Sequence, residues 1–157
     1  MDKVPMTPEG HAALTTELNQ LKSVERLKIS KEIGVAREHG DLRENAEYHA
    51  AKEKQGMIEA RITEIEDRLA RAEVIDPSGF TGEKVKFGAH VTLEDADSGK
   101  TIEYRIVGPD EANIEKGTIS VTSPVARALI GREAGDEVTV IAPGGKKTYE
   151  IAKVRYQ

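Results

Sequence analysis

The stretch Ala36 to Gly56, A-R-E-H-G-D-L-R-E-N-A-E-Y-H-A-A-K-E-K-Q-G, lies where two long helical patterns meet. Gly40 is the residue type that adopts the left-handed conformation ending an incoming helix, and Asp41 is a good cap for an outgoing one. Asp41-Leu42-Arg43-Glu44 fits a capping box, in which the Asp41 carboxylate accepts from the Glu44 amide and Glu44 reaches back to the Asp41 amide. Two carboxylates three positions apart on a short loop also suit a hard, oxygen-liking cation such as Mg²⁺. Two ligands do not hold Mg²⁺ unaided, so such a metal would be shared with a second macromolecule. From these residues alone the pair caps a helix, holds a metal, or does both.

On the N-terminal side, Thr7-Pro8-Glu9 predicts a helix start, with a capping Thr, a proline at the first position and an acid in the first turn. Leu14, Leu18 and Leu21 then recur at four and three, and Ile29, Ile33 and Ala36 repeat the pattern. Leu14 and Ile29 are one residue further apart than two heptads, so the seam must shift or the helix bend near Val24 to Lys28. On the other side, Ile58, Ile62, Ile65, Leu69 and Ala72 form a coiled-coil seam. Two such helices joined by so short a loop pack antiparallel, as a rod on the order of 45 Å long at about 1.5 Å per residue.

Asp76-Pro77-Ser78-Gly79 and Gly82 break the helix, giving a linker over 77–84 between a hairpin of 1–76 and a second unit of 85–157. In the second unit, Val85 to Leu93, Thr101 to Val107 and Thr118 to Val121 read as strands. Ser123-Pro124 opens a short helix stopped by Gly131, and Val138 to Ile141 with Thr148 to Val154 forms a hairpin across Pro143-Gly144-Gly145-Lys146. The class is α+β: an antiparallel helical hairpin followed by a small antiparallel sheet with one short helix.

Charged residues are 32% of the 157 and aromatics 4%, with no Trp, which suits a long solvated helical surface. The absence of Cys excludes disulfides, thiolate chemistry and Cys-based zinc sites, and no apolar run is long enough to span a bilayer. A soluble cytoplasmic protein is expected. Through Asp76 the chain has 12 Lys and Arg against 16 Asp and Glu, net −4; beyond it 11 against 12, net −1. Neither half is a basic module, so work on nucleic acid would go through a partner that does the holding. His11, His39, His49 and His90 form no His-x-x-x-His pair, and Ser123 has neither a nucleophile elbow nor an evident His partner. Arg37, Arg43, Lys52 and Lys54 near the tip either track phosphates or pair with Glu38, Glu47 and Glu53.

Four blocks carry a resemblance across essentially the whole chain: Thr7-Pro8-Glu9-Gly10, Ala36 through His49, Ala72-Glu73-Val74-Ile75-Asp76, and Ser123 through Gly131. Together they resemble the Gre family of bacterial transcript-cleavage (transcription elongation) factors, and within it the GreA branch. The resemblance implies a monomeric, non-catalytic factor that binds bacterial RNA polymerase and inserts its coiled coil through the secondary channel. It implies that Asp41 and Glu44 help hold a weakly bound Mg²⁺ shared with the polymerase, whose own active centre cleaves backtracked RNA, and that the free protein binds no cofactor. Arg37 and Lys52 match a basic patch near the RNA 3′ segment, while Asn45 and Tyr48 support the tip. The C-terminal unit is implied to be FKBP-like, with Ser123 and Pro124 at the polymerase-docking contact.

Leu27, where the family commonly has proline, and Ser30, at a usually apolar position, depart from the pattern close to the register shift. Three other readings compete. A channel-blocking inhibitor or a coiled-coil adaptor predicts that the tip acids are dispensable, and a prolyl isomerase needs an aromatic pocket that two Phe and four Tyr support poorly.

Overall fold

The computed structural model describes residues 2–40 and 45–156. The chain forms two compact units, His11–Arg71 and a second built from Met1–Gly10 with Ala72–Gln157.

The first unit is the helical hairpin. Helix α1 (Pro8–Gln20) runs through a π-helical turn, Leu21–Glu25, into α2 (Arg26–Arg37), and α3 (Ala46–Arg71) returns alongside. The Arg26 N–H donates to the Leu21 carbonyl five residues back, so the turn contains one residue more than an α-helix would. That residue absorbs the misfit between the two apolar sets. Leu18 and Leu21 on one side of the turn, and Ile29 and Ile33 on the other, reach the same core with Ala51, Ile58 and Ile62. Ile29 is 1% exposed and Ile62 2%. Ala72 leaves the seam, because α3 ends at Arg71 and the chain becomes extended.

Ion pairs clasp the two legs: Lys22 to Glu66 at 3.0 Å, Arg26 to Glu59 at 2.9 Å, and Arg61 to both carboxylate oxygens of Glu17 at 2.6 and 2.8 Å. The Arg61 hydrogen bonds hold the Glu17 carboxyl below its ordinary value against a smaller opposing effect of burial. A depressed carboxyl adds stability that is present above its unfolded pKa and is lost as pH falls through the folded value. Glu17→Gln is therefore expected to flatten part of the acid limb of the hairpin's stability, below about pH 4, by well under 1 kcal/mol because both groups stay partly solvated. Thermal midpoints of the two proteins at neutral pH and in acid read this out.

In the second unit, β3 (His90–Asp95), β4 (Thr101–Val107), β5 (Thr118–Ser120), β6 (Glu137–Ala142) and β7 (Gly145–Arg155) form one sheet in the order β5-β4-β3-β7-β6. It is antiparallel except at one edge, where β5 runs parallel to β4. Val91, Leu93, Ile106, Ile119, Val138 and Ile151 point to one face, on which α4 (Pro124–Leu129) places Ala126 and Leu129. The strand expected over Val85 to Leu93 begins only at His90. Val85 is buried but bonds outside the ladder, donating to the Arg132 carbonyl at 2.8 Å and accepting from Gly131 at 2.9 Å. The expected linker holds a 3-10 turn, Pro77–Gly79, whose Pro77 is buried.

The division also differs from a boundary at Asp76. Strand β1 (Val4–Met6) pairs in parallel with β2 (Ala72–Val74), which puts the first ten residues with the sheet. Thr7, 1% exposed, caps α1 by accepting from the Gly10 N–H at 3.1 Å. Its own N–H and hydroxyl donate to the Glu111 carboxylate, which also accepts from the Gly108 N–H at 2.9 Å. Space requires the glycine at Gly108, where a Cβ would lie 2.1 Å from the Pro5 carbonyl oxygen, and a Cβ at Gly10, 2.0 Å from Glu111 Oε1, would displace the Glu111 carboxylate. Glu111→Ala would leave the Thr7 N–H buried without a partner. It is expected to cost about 1–3 kcal/mol, measurable by urea unfolding followed by circular dichroism.

Candidate functional site

The tip of the hairpin is built from two helix ends. Helix α2 stops after Arg37, and the Glu38 and His39 amides turn back onto the Val35 and Ala36 carbonyls at 3.1 Å each. Gly40 follows with φ +107°, a conformation that side chains with a Cβ rarely adopt, as its place in the sequence implied.

Asn45 joins the two ends. Its Oδ1 accepts from the Tyr48 N–H at 3.0 Å, capping α3, and its Nδ2 donates to the Ala36 carbonyl at 2.5 Å. One short side chain thereby satisfies an orphan donor of the outgoing helix and gives the Ala36 carbonyl of the incoming one a second donor besides the His39 N–H. A single amide does both because it carries an acceptor and a donor on the same carbon. The Tyr48 ring packs against the hairpin core, and the Arg37 guanidinium lies over it, 5.9 Å from the ring centre. Arg37 is thus held against the tip by a cation–π contact. Lys52 lies one turn beyond Tyr48 on the same helix face and donates to Gln55 at 3.1 Å.

Three sequence expectations fall on residues 41–44. The Asp41–Glu44 capping box, the metal role of those two acids and the phosphate role of Arg43 all lie outside the described residues. The cap of α3 is supplied by Asn45. Among the other expected pairings, Glu47 takes His39 (3.7 Å), and Lys54 reaches across to Glu32 at 4.0 Å. His49 meets the Tyr48 ring edge-on at 5.6 Å. Among the described residues no group of three or more His, Cys, Asp and Glu side chains is placed to hold a metal.

Arg37, Asn45 and Tyr48 are therefore brought together, with Lys52 one turn away. Ser123 and Pro124 belong to the other unit, where the Ser123 hydroxyl accepts from the Ala126 N–H at 3.2 Å and Pro124 is the first residue of α4. The resemblance implies only a supporting role for Asn45, whereas its two bonds make it the cap of α3. The signal that distinguishes it is its position: it directly precedes an unbroken helical run, with an amide side chain able to bond in both directions.

Asn45→Ala is expected to remove both bonds, at about 1 kcal/mol for the cap and a similar amount for the donor to Ala36. Asn45→Asp keeps the cap but sets a carboxylate against the Ala36 carbonyl oxygen, so it should fall between the two. Thermal melts of the three proteins rank them.

Comparison with known proteins covers both units. The family model described as "Transcription elongation factor, N-terminal" matches residues 4–74, and "Transcription elongation factor, GreA/GreB, C-term" matches 81–156. The transcription elongation factor GreA of Hyphomonas neptunium is 60% identical over 157 residues, covering 100% of each chain. That of Phenylobacterium zucineum is 59% identical over 156 residues and 99% of each. Among solved structures, the GreA factor homolog 1 (Gfh1) protein of Thermus thermophilus is 30% identical over 98% of this chain and 99% of that one, with a TM-score of 0.44. On the extent of the two family matches and of the two GreA relatives, the chain belongs to the GreA/GreB family of transcription elongation factors.

Proposed function

We propose that the protein binds bacterial RNA polymerase, passes its helical hairpin into the secondary channel, and stimulates the polymerase's own Mg²⁺-dependent cleavage of backtracked RNA. The observation that supports this reading best is a full-length family match in a chain that keeps both Asp41 and Glu44, next to an Asn45 that closes the loop between the helices.

Asp41 and Glu44 are hard oxygen donors and fit Mg²⁺ by donor type, but two ligands need the polymerase to complete the set. When bound, such an ion orients and helps deprotonate the water that attacks the phosphodiester. The chain's own task is placement. Asn45 ties the two helix ends together, so the ends of the hairpin need less ordering in the complex. Arg37, steadied on Tyr48, and Lys52 present positive charge to the RNA 3′ segment. Ser123 and Pro124 contact the polymerase at the channel rim.

A photo-cross-linking residue in place of His39 tests the placement. In a stalled complex it is expected to label polymerase residues around the active centre and the RNA 3′ end. Labelling confined to the outer surface of the polymerase would contradict insertion.

A further inference from the structure

The sheet unit carries a second charged surface that the tip mechanism does not use. The strand register sets Arg105 of β4 beside His90 of β3, and His90 beside Arg155 of β7. Because side chains alternate along a strand and Val91, Leu93 and Ile106 face the core, these three share the opposite face with Thr92, Glu103 and Lys153.

Beside the row a pocket of about 240 Å³ is lined by His90, Glu103, Arg105, Lys116, Gly117 and Thr118. Arg105 Nε is a buried donor with no hydrogen-bond partner among the described residues, and Arg105 Nη2 makes only a long contact to Glu9, at 3.4 Å. Burial and then the Arg155 and Arg105 charges push His90 below its ordinary pKa, so at neutral pH it offers a neutral ring. The acid in the pocket is Glu103, whose Oε1 lies 2.5 Å from Arg155 Nη2 and 3.4 Å from His90 Nδ1.

We infer that this face docks a carboxylate-bearing surface of the polymerase, with an Asp or Glu side chain entering the pocket, pairing with Arg105 and drawing Lys116 and Arg155 toward it. The inference rests on the polymerase-binding reading above. The Arg105 guanidinium, whose Nη2 has only the long contact to Glu9, offers a charge-assisted donor to one carboxylate oxygen. A nucleic-acid backbone fits the same face poorly, because Glu103 and Glu9 would stand against a run of phosphates. Within the free protein Glu103 acts as the resident competitor for the cations.

The test is binding of the fluorescently labelled full chain to core RNA polymerase at low and at high salt. Arg105→Gln and Lys116→Gln are each expected to weaken binding about tenfold at low salt and to reduce its salt dependence. Lys116→Gln is outside the ion pairs described and keeps the test open should Arg105→Gln fail to fold. Glu103→Gln is expected to tighten binding several-fold, a direction that a merely structural role would not produce.

Wild-type binding that none of the three changes alter, or that Glu103→Gln weakens, overturns the docking face alone. Absence of wild-type binding overturns both this inference and the proposed function. Binding of single-stranded RNA by the free protein that Arg105→Gln abolishes would reassign the face to nucleic acid and overturn it as well.

Discussion

Replacing Asp41 by Asn and Glu44 by Gln together is expected to abolish stimulated RNA cleavage, lowering its rate on the order of 10²–10³-fold, while the thermal midpoint barely moves. The size follows from removing charges aimed at a site where charge develops in the transition state. The expected silence in the melt follows from the helix cap. Because Asn45 accepts from the Tyr48 amide and bonds the Ala36 carbonyl, the start of α3 does not depend on a carboxylate at Asp41. Both replacements keep side-chain size and remove only charge. A double variant that melts early and loses cleavage in proportion would make the acids structural, and one that cleaves normally would make this protein an adaptor.

The second large effect is on stability. Ile62→Ala is expected to destabilise the hairpin by about 2–5 kcal/mol, the usual range for truncating a buried aliphatic side chain where the surroundings cannot collapse. Ile62 is 2% exposed and shares its cluster with Ile29 and Ile33 across the helix pair. In a unit of this size that loss corresponds to a fall in midpoint on the order of 10 °C or more. Ile29→Ala should act similarly, and the double variant should lose less than the sum because the two deletions share one cavity. Cleavage stimulation should survive Ile62→Ala well below the new midpoint and disappear across it. A core variant that melts like wild type would show that the hairpin takes its stability from elsewhere.

Periodicity made the hairpin legible, since the spacing of Ile58, Ile62 and Ile65 permits little else, and the misfit between Leu14 and Ile29 located a defect in the first helix. The form of that defect, a π turn at Leu21–Glu25, was not legible, because a one-residue excess is also satisfied by a bend. Strands β4 and β7 followed from alternation and turn residues, whereas Val85 misled: a buried valine looks the same whether its amide joins a ladder or a loop. The β1–β2 pair and the Thr7–Glu111 clamp were out of reach. They join residues far apart in sequence, and neither a three-residue strand nor a lone Glu announces a distant partner.

Of the site, the tip motif was readable as a block, but the division of labour within it was not. Asp, Glu and Asn are all good residues near a helix start, and only the bonds of Asn45 assign the cap. The basic row of His90, Arg105 and Arg155 was invisible for a different reason. Those three residues become neighbours only once strand register is known.

The central claim, that the tip supplies ligands to a metal in another protein's active centre, is tested most directly by the Mg²⁺ dependence of RNA cleavage. The rate is measured in a stalled, backtracked polymerase complex, alone and at saturating wild type or Asp41→Asn/Glu44→Gln. Wild type is expected to lower the Mg²⁺ concentration needed for half-maximal cleavage about tenfold or more. The double variant should follow polymerase alone while still displacing wild type from it. A wild-type protein that raises the rate without shifting the Mg²⁺ requirement, or a double variant that shifts it equally, would contradict the claim.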